Sequence, residues 1–295
     1  MKTKVSKTLV IGAAGFVGRA LTQKLISVGQ QPSLVVRSKR FTMPGAKIFH
    51  GDIGDRVFCR RVLSGVDTVY YVAGYKRNID FHVRQPFDFF AGNVEPFTTF
   101  LKVLEASKVK TLVYLSSTIV EYVQLDASKP DGYVLGKFAN ELAARSFAQQ
   151  YPEVKVKIIR SAAIYGPGDN FNPATANFIP AMIRKVAQSR GEVEVWGQGT
   201  RKLQFAYIDD VVSNLLAAPK SKKNFFVVGN PQAVSVTKVV QHIVKFLGQP
   251  KQLKHDLSKP DKPTKLTVFS NAIKPRVSLS EGLARTLEYY RKHHA

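Results

Sequence analysis

Cysteine is almost missing: Cys59 is the single one in 295 residues, so no internal disulfide can form and no cysteine-based metal spacing exists. Acid is the larger shortage. Against 44 lysines and arginines stand 21 aspartates and glutamates, a formal net charge of +23, and such a field gathers phosphates, nucleotides or nucleic acid. The basic residues are spread along the whole chain rather than collected in one arm. That favours a solvated lysine-rich surface first, a phosphate-rich ligand second, and RNA or DNA last. Long apolar runs are also lacking. The basic start leads only to Leu9–Ile11 before glycine interrupts, too short for a secretory leader or a membrane span. The expectation is a soluble, cytoplasmic protein with no membrane partner and no metal. No internal repeat and no Pro/Gly-rich tract is present, while a hydrophobic fraction of 44% is ordinary for a globular chain.

What is present is alternation. Short aliphatic and β-branched runs at Lys7–Ile11, Ser33–Val36, Ala46–Phe49, Thr68–Val72, Thr111–Leu115 and Lys155–Ile159 read as strands. From Phe16 to Gly29 the apolar positions Val17, Leu21, Leu25 and Ile26 recur at helical spacing, and further helices are expected at Asn93–Ser107 and Tyr133–Gln150. Strand–helix–strand order predicts an α/β fold, a Rossmann-type doubly wound parallel sheet. Residues 1–166 would form the dinucleotide-binding domain, with 204–230 returning to it through strands at Gln204–Ile208 and Phe225–Val228. Residues 167–203 and 231–295 would form a smaller, discontinuous C-terminal substrate-binding part, ending in an amphipathic helix over Ser280–Lys292.

Gly12, Gly15 and Gly18 fall between the first strand and the first helix. The first glycine permits a tight turn, the second lets backbone approach a pyrophosphate, and the third lets the helix pack against the sheet. The helix N-terminus then offers amides and a positive dipole end to phosphate. After the second strand the chain reads Val36-Arg37-Ser38-Lys39-Arg40, without the carboxylate that would bind a ribose 2′-hydroxyl. This predicts NADP, with NAD as the alternative. Arg37 is the leading 2′-phosphate contact, supported by Ser38 or Arg40; the competing reading is an exposed basic loop.

Tyr133 and Lys137 stand four apart, on one face of a helix, and a neighbouring ammonium would lower the phenol pKa for proton transfer. Leu112-Val113-Tyr114-Leu115-Ser116-Ser117-Thr118 is a strand ending in hydroxyls, at the sheet edge where open α/β folds bind ligands. Together these residues resemble the Ser–Tyr–Lys set of the extended short-chain dehydrogenases, the NAD-dependent epimerase/dehydratase family, and the resemblance covers nearly the whole chain. It implies Ser117, Tyr133 and Lys137 as catalytic residues, Tyr133 and Lys137 also binding the cofactor, with Thr118 a rival hydroxyl. It also implies that Gly12 to Gly18, including Phe16 and Val17, form the cofactor turn, that Asp52 and Ile53 contact adenine, and that Ala73 and Gly74 line the nicotinamide side. Asn93 would open the helix before the serine strand.

The second half narrows the resemblance. Ile164-Tyr165-Gly166-Pro167-Gly168-Asp169-Asn170-Phe171, Ile179 to Arg184, Val195-Trp196-Gly197-Gln198-Gly199-Thr200 and Ser258-Lys259-Pro260-Asp261 are similar to the GDP-L-fucose synthase type of nucleotide-sugar enzyme. The resemblance implies a nucleotide-linked sugar as substrate, Arg184 and Lys185 as diphosphate contacts, Trp196 as a wall against base or sugar, Thr118 on the substrate side, and a homodimer. Departures matter as much. Ile119 and Asn177 stand where those enzymes carry an epimerising cysteine and histidine, and Leu203 where they carry a diphosphate arginine, for which Arg201 or Lys202 would substitute. The expectation is an oxidoreductase or 4-epimerase without the double epimerisation. Rivals are a 3β-hydroxysteroid dehydrogenase-like or other small-carbonyl reductase, and a non-catalytic NADP-binding or RNA-binding scaffold.

Overall fold

The computed structural model describes residues 7–76, 84–125, 128, 131–248, 251–259 and 265–294. They divide into two compact units, Met1–Ser161 with Val212–Phe226, and Ala162–Val211 with Val227–Ala295. In chain order the first unit contains β1 (Thr8–Ile11), α1 (Phe16–Ser27), β2 (Ser33–Val36), β3 (Lys47–His50), α2 (Arg56–Leu63), β4 (Thr68–Tyr71), α3 (Pro86–Leu104), β5 (Thr111–Ser117), a 3-10 turn (Thr118–Tyr122), α4 (Gly132–Gln150) and β6 (Lys155–Ser161).

The main sheet is mostly parallel and runs β11-β6-β5-β4-β1-β2-β3, with β11 (Phe225–Val228) at one edge. The fold is Rossmann-like α/β, as the alternation predicted. Its strands are buried on both faces, with Leu9, Val10, Leu34, Val69, Leu112 and Val113 each at 0% exposure, because helices cover a parallel sheet from both sides. The chain runs outward from β1 in both directions, through β2 and β3 on one side and β4 to β6 on the other. That reversal opens a crevice beyond the carboxyl ends of β1 and β4.

The second unit is built from shorter pieces. β7 (Ala163–Tyr165) pairs parallel with β10 (Phe205–Tyr207), β8 (Glu192–Trp196) parallel with β13 (Gln252–Asp256), and β9 (Lys202–Leu203) antiparallel with β12 (Val234–Ser235). Helices α5 (Phe178–Gln188), α7 (Val236–Leu247) and α8 (Leu279–His294) complete it, while α6 (Ile208–Ala217) carries the chain from one unit to the other. Here one expectation fails: the run at Gln204–Ile208 does not return to the main sheet, since β10 belongs to the two-stranded sheet with β7. A short apolar run shows that a strand forms but not which edge it meets. A second correction concerns α3, which begins at Pro86 rather than Asn93, with Pro in its first turn. Among the described residues no helix is long and apolar enough to cross a membrane.

Candidate active site

The turn after β1 is shaped by its glycines. Gly12 has φ +89°, and a side chain there would fall 2.7 Å from the Ala73 backbone, so the β1 and β4 loops meet in near contact. A Cβ on Gly18 would lie 2.2 Å from the Gly12 carbonyl oxygen, which brings α1 directly onto the turn. Gly15 caps α1 without any side-chain hydrogen bond. By contrast, Asp55 accepts from Val57 N and Phe58 N at the start of α2, and Asp131 from Tyr133 N and Val134 N at the start of α4. Only the first of these three helix starts leaves its amide donors without a side-chain cap, and it does so beside a cavity.

That cavity has a volume of about 400 Å³. Gly12 and Gly15 line it at the turn, Arg37 and Ser38 beyond β2, Asp52 and Ile53 beyond β3, and Ala73, Gly74 and Asn93 along the β4 side. Phe16 and Val17 are not among the lining residues; they form the first turn of α1 behind it. Nor is Arg40, whose backbone N donates to Ser38 Oγ at 3.3 Å. Asp52 Oδ1 accepts from Gly54 N at 2.8 Å, which fixes the carboxylate on the wall.

Asn93 does more than open a helix. It lies in the middle of α3 and is buried; its Oδ1 accepts from Tyr75 N at 3.0 Å, and its Nδ2 donates to Tyr75 O and Phe89 O at 3.0 and 2.8 Å. Its own carbonyl accepts from Asn140 Nδ2 at 3.0 Å. One side chain thereby holds the loop after β4 to α3, and Asn140 ties both to α4. Gly136, on the face of α4 between Tyr133 and Lys137, allows this: a Cβ there would sit 3.3 Å from the Asn93 side chain.

Lys137 brings α4 up to the loop that lines the cavity. Its Nζ lies 3.4 Å from where a side chain on Gly74 would begin, and it donates to Leu115 O at 3.3 Å. The ammonium also stands 5.4 Å from the centre of the Tyr114 ring, a cation–π approach. Burial pulls its pKa down to about 8, countered by the Glu141 carboxylate and aided by the positive charge of Lys76. Tyr133, one turn earlier, stacks on the fully buried Phe89, with ring centres 5.2 Å apart. Tyr133, Ser117 and Lys137 itself are not among the residues lining the cavity; Lys137 meets it only through Gly74.

The expected lowering of the Tyr133 pKa is not what the environment produces. Burial, with the helix-capping Asp131 carboxylate behind it, pushes the phenol up to about 12. Desolvation disfavours the phenolate, and the Lys137 ammonium is engaged by the Leu115 carbonyl. At neutral pH Tyr133 therefore keeps its proton. Ser117, the last residue of β5, accepts from Ile119 N at 3.3 Å through Oγ. It caps the 3-10 turn that Thr118 begins, and this bond uses a lone pair and leaves the hydroxyl hydrogen to be given elsewhere.

In the second unit, Lys185 lies 3.6 Å from Glu194, and Trp196 Nε1 donates to the same carboxylate at 2.9 Å. Lys259 Nζ stands 4.8 Å from the centre of the Trp196 ring. Trp196 is 60% exposed. Arg184, on α5, has a buried Nε with no hydrogen-bond partner among the described residues. Arg201 accepts from Val236 N through its carbonyl, while Pro260 and Asp261 lie outside the described residues.

The NAD dependent epimerase/dehydratase family model matches residues 8–229, and the chain belongs to that family, making it an NAD(P)-dependent short-chain dehydrogenase/reductase enzyme. It is 24% identical to a dTDP-4-dehydro-6-deoxy-D-allose reductase of Streptomyces bikiniensis, over 97% of this chain and 96% of the relative. It is 26% identical to GDP-L-fucose synthase 1 of Arabidopsis thaliana, over 99% and 95%. The fold superposes on a UDP-glucose 4-epimerase of Thermotoga maritima with a TM-score of 0.83 at 24% identity, covering 97% of this chain and 98% of that one.

Proposed function

We propose that this chain is an NADP-dependent reductase of a nucleotide-linked keto-sugar, with Tyr133 as proton donor. The observation that carries the reading is the junction at Gly74. There the wall of a cavity with an uncapped helix start and a basic far end meets Lys137, one helical turn from a tyrosine that holds its proton. The segment after β2 brings Arg37 and Ser38 to the wall and no carboxylate of its own, which suits a 2′-phosphate better than a bare ribose. NADP in its reduced form supplies the hydride when bound. Tyr133 gives its proton to the carbonyl oxygen of the substrate, and Ser117 donates a hydrogen bond to that oxygen as charge gathers on it. Lys137 stabilises the tyrosinate left behind.

The relatives named for dTDP- and GDP-linked sugars support this substrate class. Ile119 and Asn177 carry no group suited to the acid–base exchange of an epimerisation, which favours simple reduction. The unpaired Arg184 Nε and the exposed Trp196 suit a diphosphate and a ring face. A panel of GDP-, dTDP- and UDP-linked 4-keto-6-deoxy sugars, read by loss of NADPH absorbance, tests the proposal. Turnover of at least one nucleotide-linked ketone, and none of steroid ketones, is the expected result; turnover of steroid ketones alone would overturn it.

A further inference from the structure

Behind the catalytic helix lies an ion pair that the proposed proton transfer does not itself use. Arg160, on β6, donates from Nε to both carboxylate oxygens of Glu141, at 2.9 and 3.1 Å, and from Nη2 to Oε2 at 2.7 Å. The Glu141 side chain is 1% exposed. The Arg160 guanidinium also reaches 4.0 Å from Glu121, in the 3-10 turn that follows Ser117, and covers the Phe225 ring at 5.0 Å. One arginine thus grips both elements that present catalytic groups, α4 through Glu141 and the end of β5 through Glu121.

Glu141 is four residues beyond Lys137, on the same face of α4. Among the described residues, the titratable and charged groups acting on Lys137 are Glu141 from its own helix, Tyr114 from β5, and Lys76 from the segment after β4. Glu141 is the one carboxylate in that set, and its charge favours the ammonium that burial and Lys76 disfavour. A buried carboxylate is costly without a partner, and the Arg160 fork supplies one and holds it in place.

We propose that Glu141 and Arg160 are positioning residues of the catalytic set, Glu141 holding Lys137 in its ammonium form and Arg160 anchoring the Glu141 carboxylate for that task. The inference rests on the reading of Tyr133 and Lys137 as the proton-transfer pair. Its test, however, is independent of any substrate. The full chain, labelled at lysine, is titrated by NMR through the Lys137 side-chain signal, identified by its loss in Lys137→Arg. Glu141→Gln, which preserves shape, moves the Lys137 titration down by about one pH unit or more. Arg160→Lys, which keeps the charge but breaks the fork, gives a titration between the two.

An unchanged Lys137 titration in folded Glu141→Gln overturns the proposal, and a wild-type titration in Arg160→Lys overturns the part given to Arg160. If Glu141→Gln does not fold, Glu141→Asp, which withdraws the charge by one methylene, is read in the same way. Where the keto-sugar assay is active, the alkaline limb of kcat falls with the Lys137 titration while KM for NADPH holds. Absence of keto-sugar turnover with a shifted Lys137 titration separates failure of the functional reading from failure of this one.

Discussion

Arg37 is the side chain on which the proposed choice of NADP turns. It lines the cavity beyond β2, where an acidic residue would instead grip a ribose hydroxyl. Arg37→Ala is expected to weaken NADPH binding about ten- to a hundredfold, the worth of a charge-assisted contact, and to leave NADH binding unchanged; calorimetric titration of both cofactors decides it. Equal losses for the two would show an arginine that serves the pocket in general. At this scale the sequence was legible wherever a residue's place follows from local spacing. The glycine turn after β1, Arg37 and Asp52 on the cavity wall, and Tyr133 and Lys137 one turn apart on α4 were readable because each place is set by a turn or a helix period. Asn140, Phe89, Glu141 and Arg160 were not, since their partners are 19 to 47 positions away, on another element. The direction of the Tyr133 pKa was misread for the same reason: spacing gives a neighbour's charge but not the burial that outweighs it.

The elements were legible to the extent that their own composition decides them. β2 falls where its aliphatic run predicts, and β5 extends to Ser117, two residues beyond the expected end, because Ser116 and Ser117 still pair with Arg160 and Ser161 of β6. The expected start of α3 at Asn93 left out the first two turns, which Pro86 opens, and the partner of β10 is a tertiary matter. The packing of α1 on its turn gives the sharpest prediction here. Gly18→Ala would place a methyl group 2.2 Å from the Gly12 carbonyl, forcing helix and turn apart. The expected cost of such overpacking is about 1–3 kcal/mol, a Tm lower by roughly 2–10 °C, together with loss of NADPH binding. A variant with unchanged Tm and affinity would show that the close approach is not needed.

Across the whole molecule, buried phenols govern the alkaline limit of stability. Burial pushes Tyr70 and Tyr133 up from 10.0 to about 12, and holds Tyr71, Tyr114 and Tyr165 higher still. A group that binds its proton more tightly in the folded state stabilises fully below its unfolded pKa and loses that contribution as pH rises through the folded one. These tyrosines therefore add stability below pH 10 and lose it towards pH 12, and the Cys59 thiol, raised from 9.0 to about 12 by burial, acts in the same sense. Lys137 has the opposite sign: its folded pKa of about 8 lies below the ordinary 10.5, so its penalty is relieved as pH rises between the two. The expected profile of urea midpoint against pH falls steeply above pH 10; a midpoint still climbing there would contradict it.

The account as a whole depends on hydride arriving at a sugar carbonyl while Tyr133 supplies the proton. NADPH carrying deuterium at its transferable position, incubated with a nucleotide-linked 4-keto-6-deoxy sugar that the chain turns over, tests both halves when the product is weighed by mass spectrometry. The account predicts one deuterium per product molecule with the wild type, and a rate lower by about 10²–10⁴ in Tyr133→Phe with NADPH binding retained. Product without deuterium, or full-rate reduction by Tyr133→Phe, would contradict it.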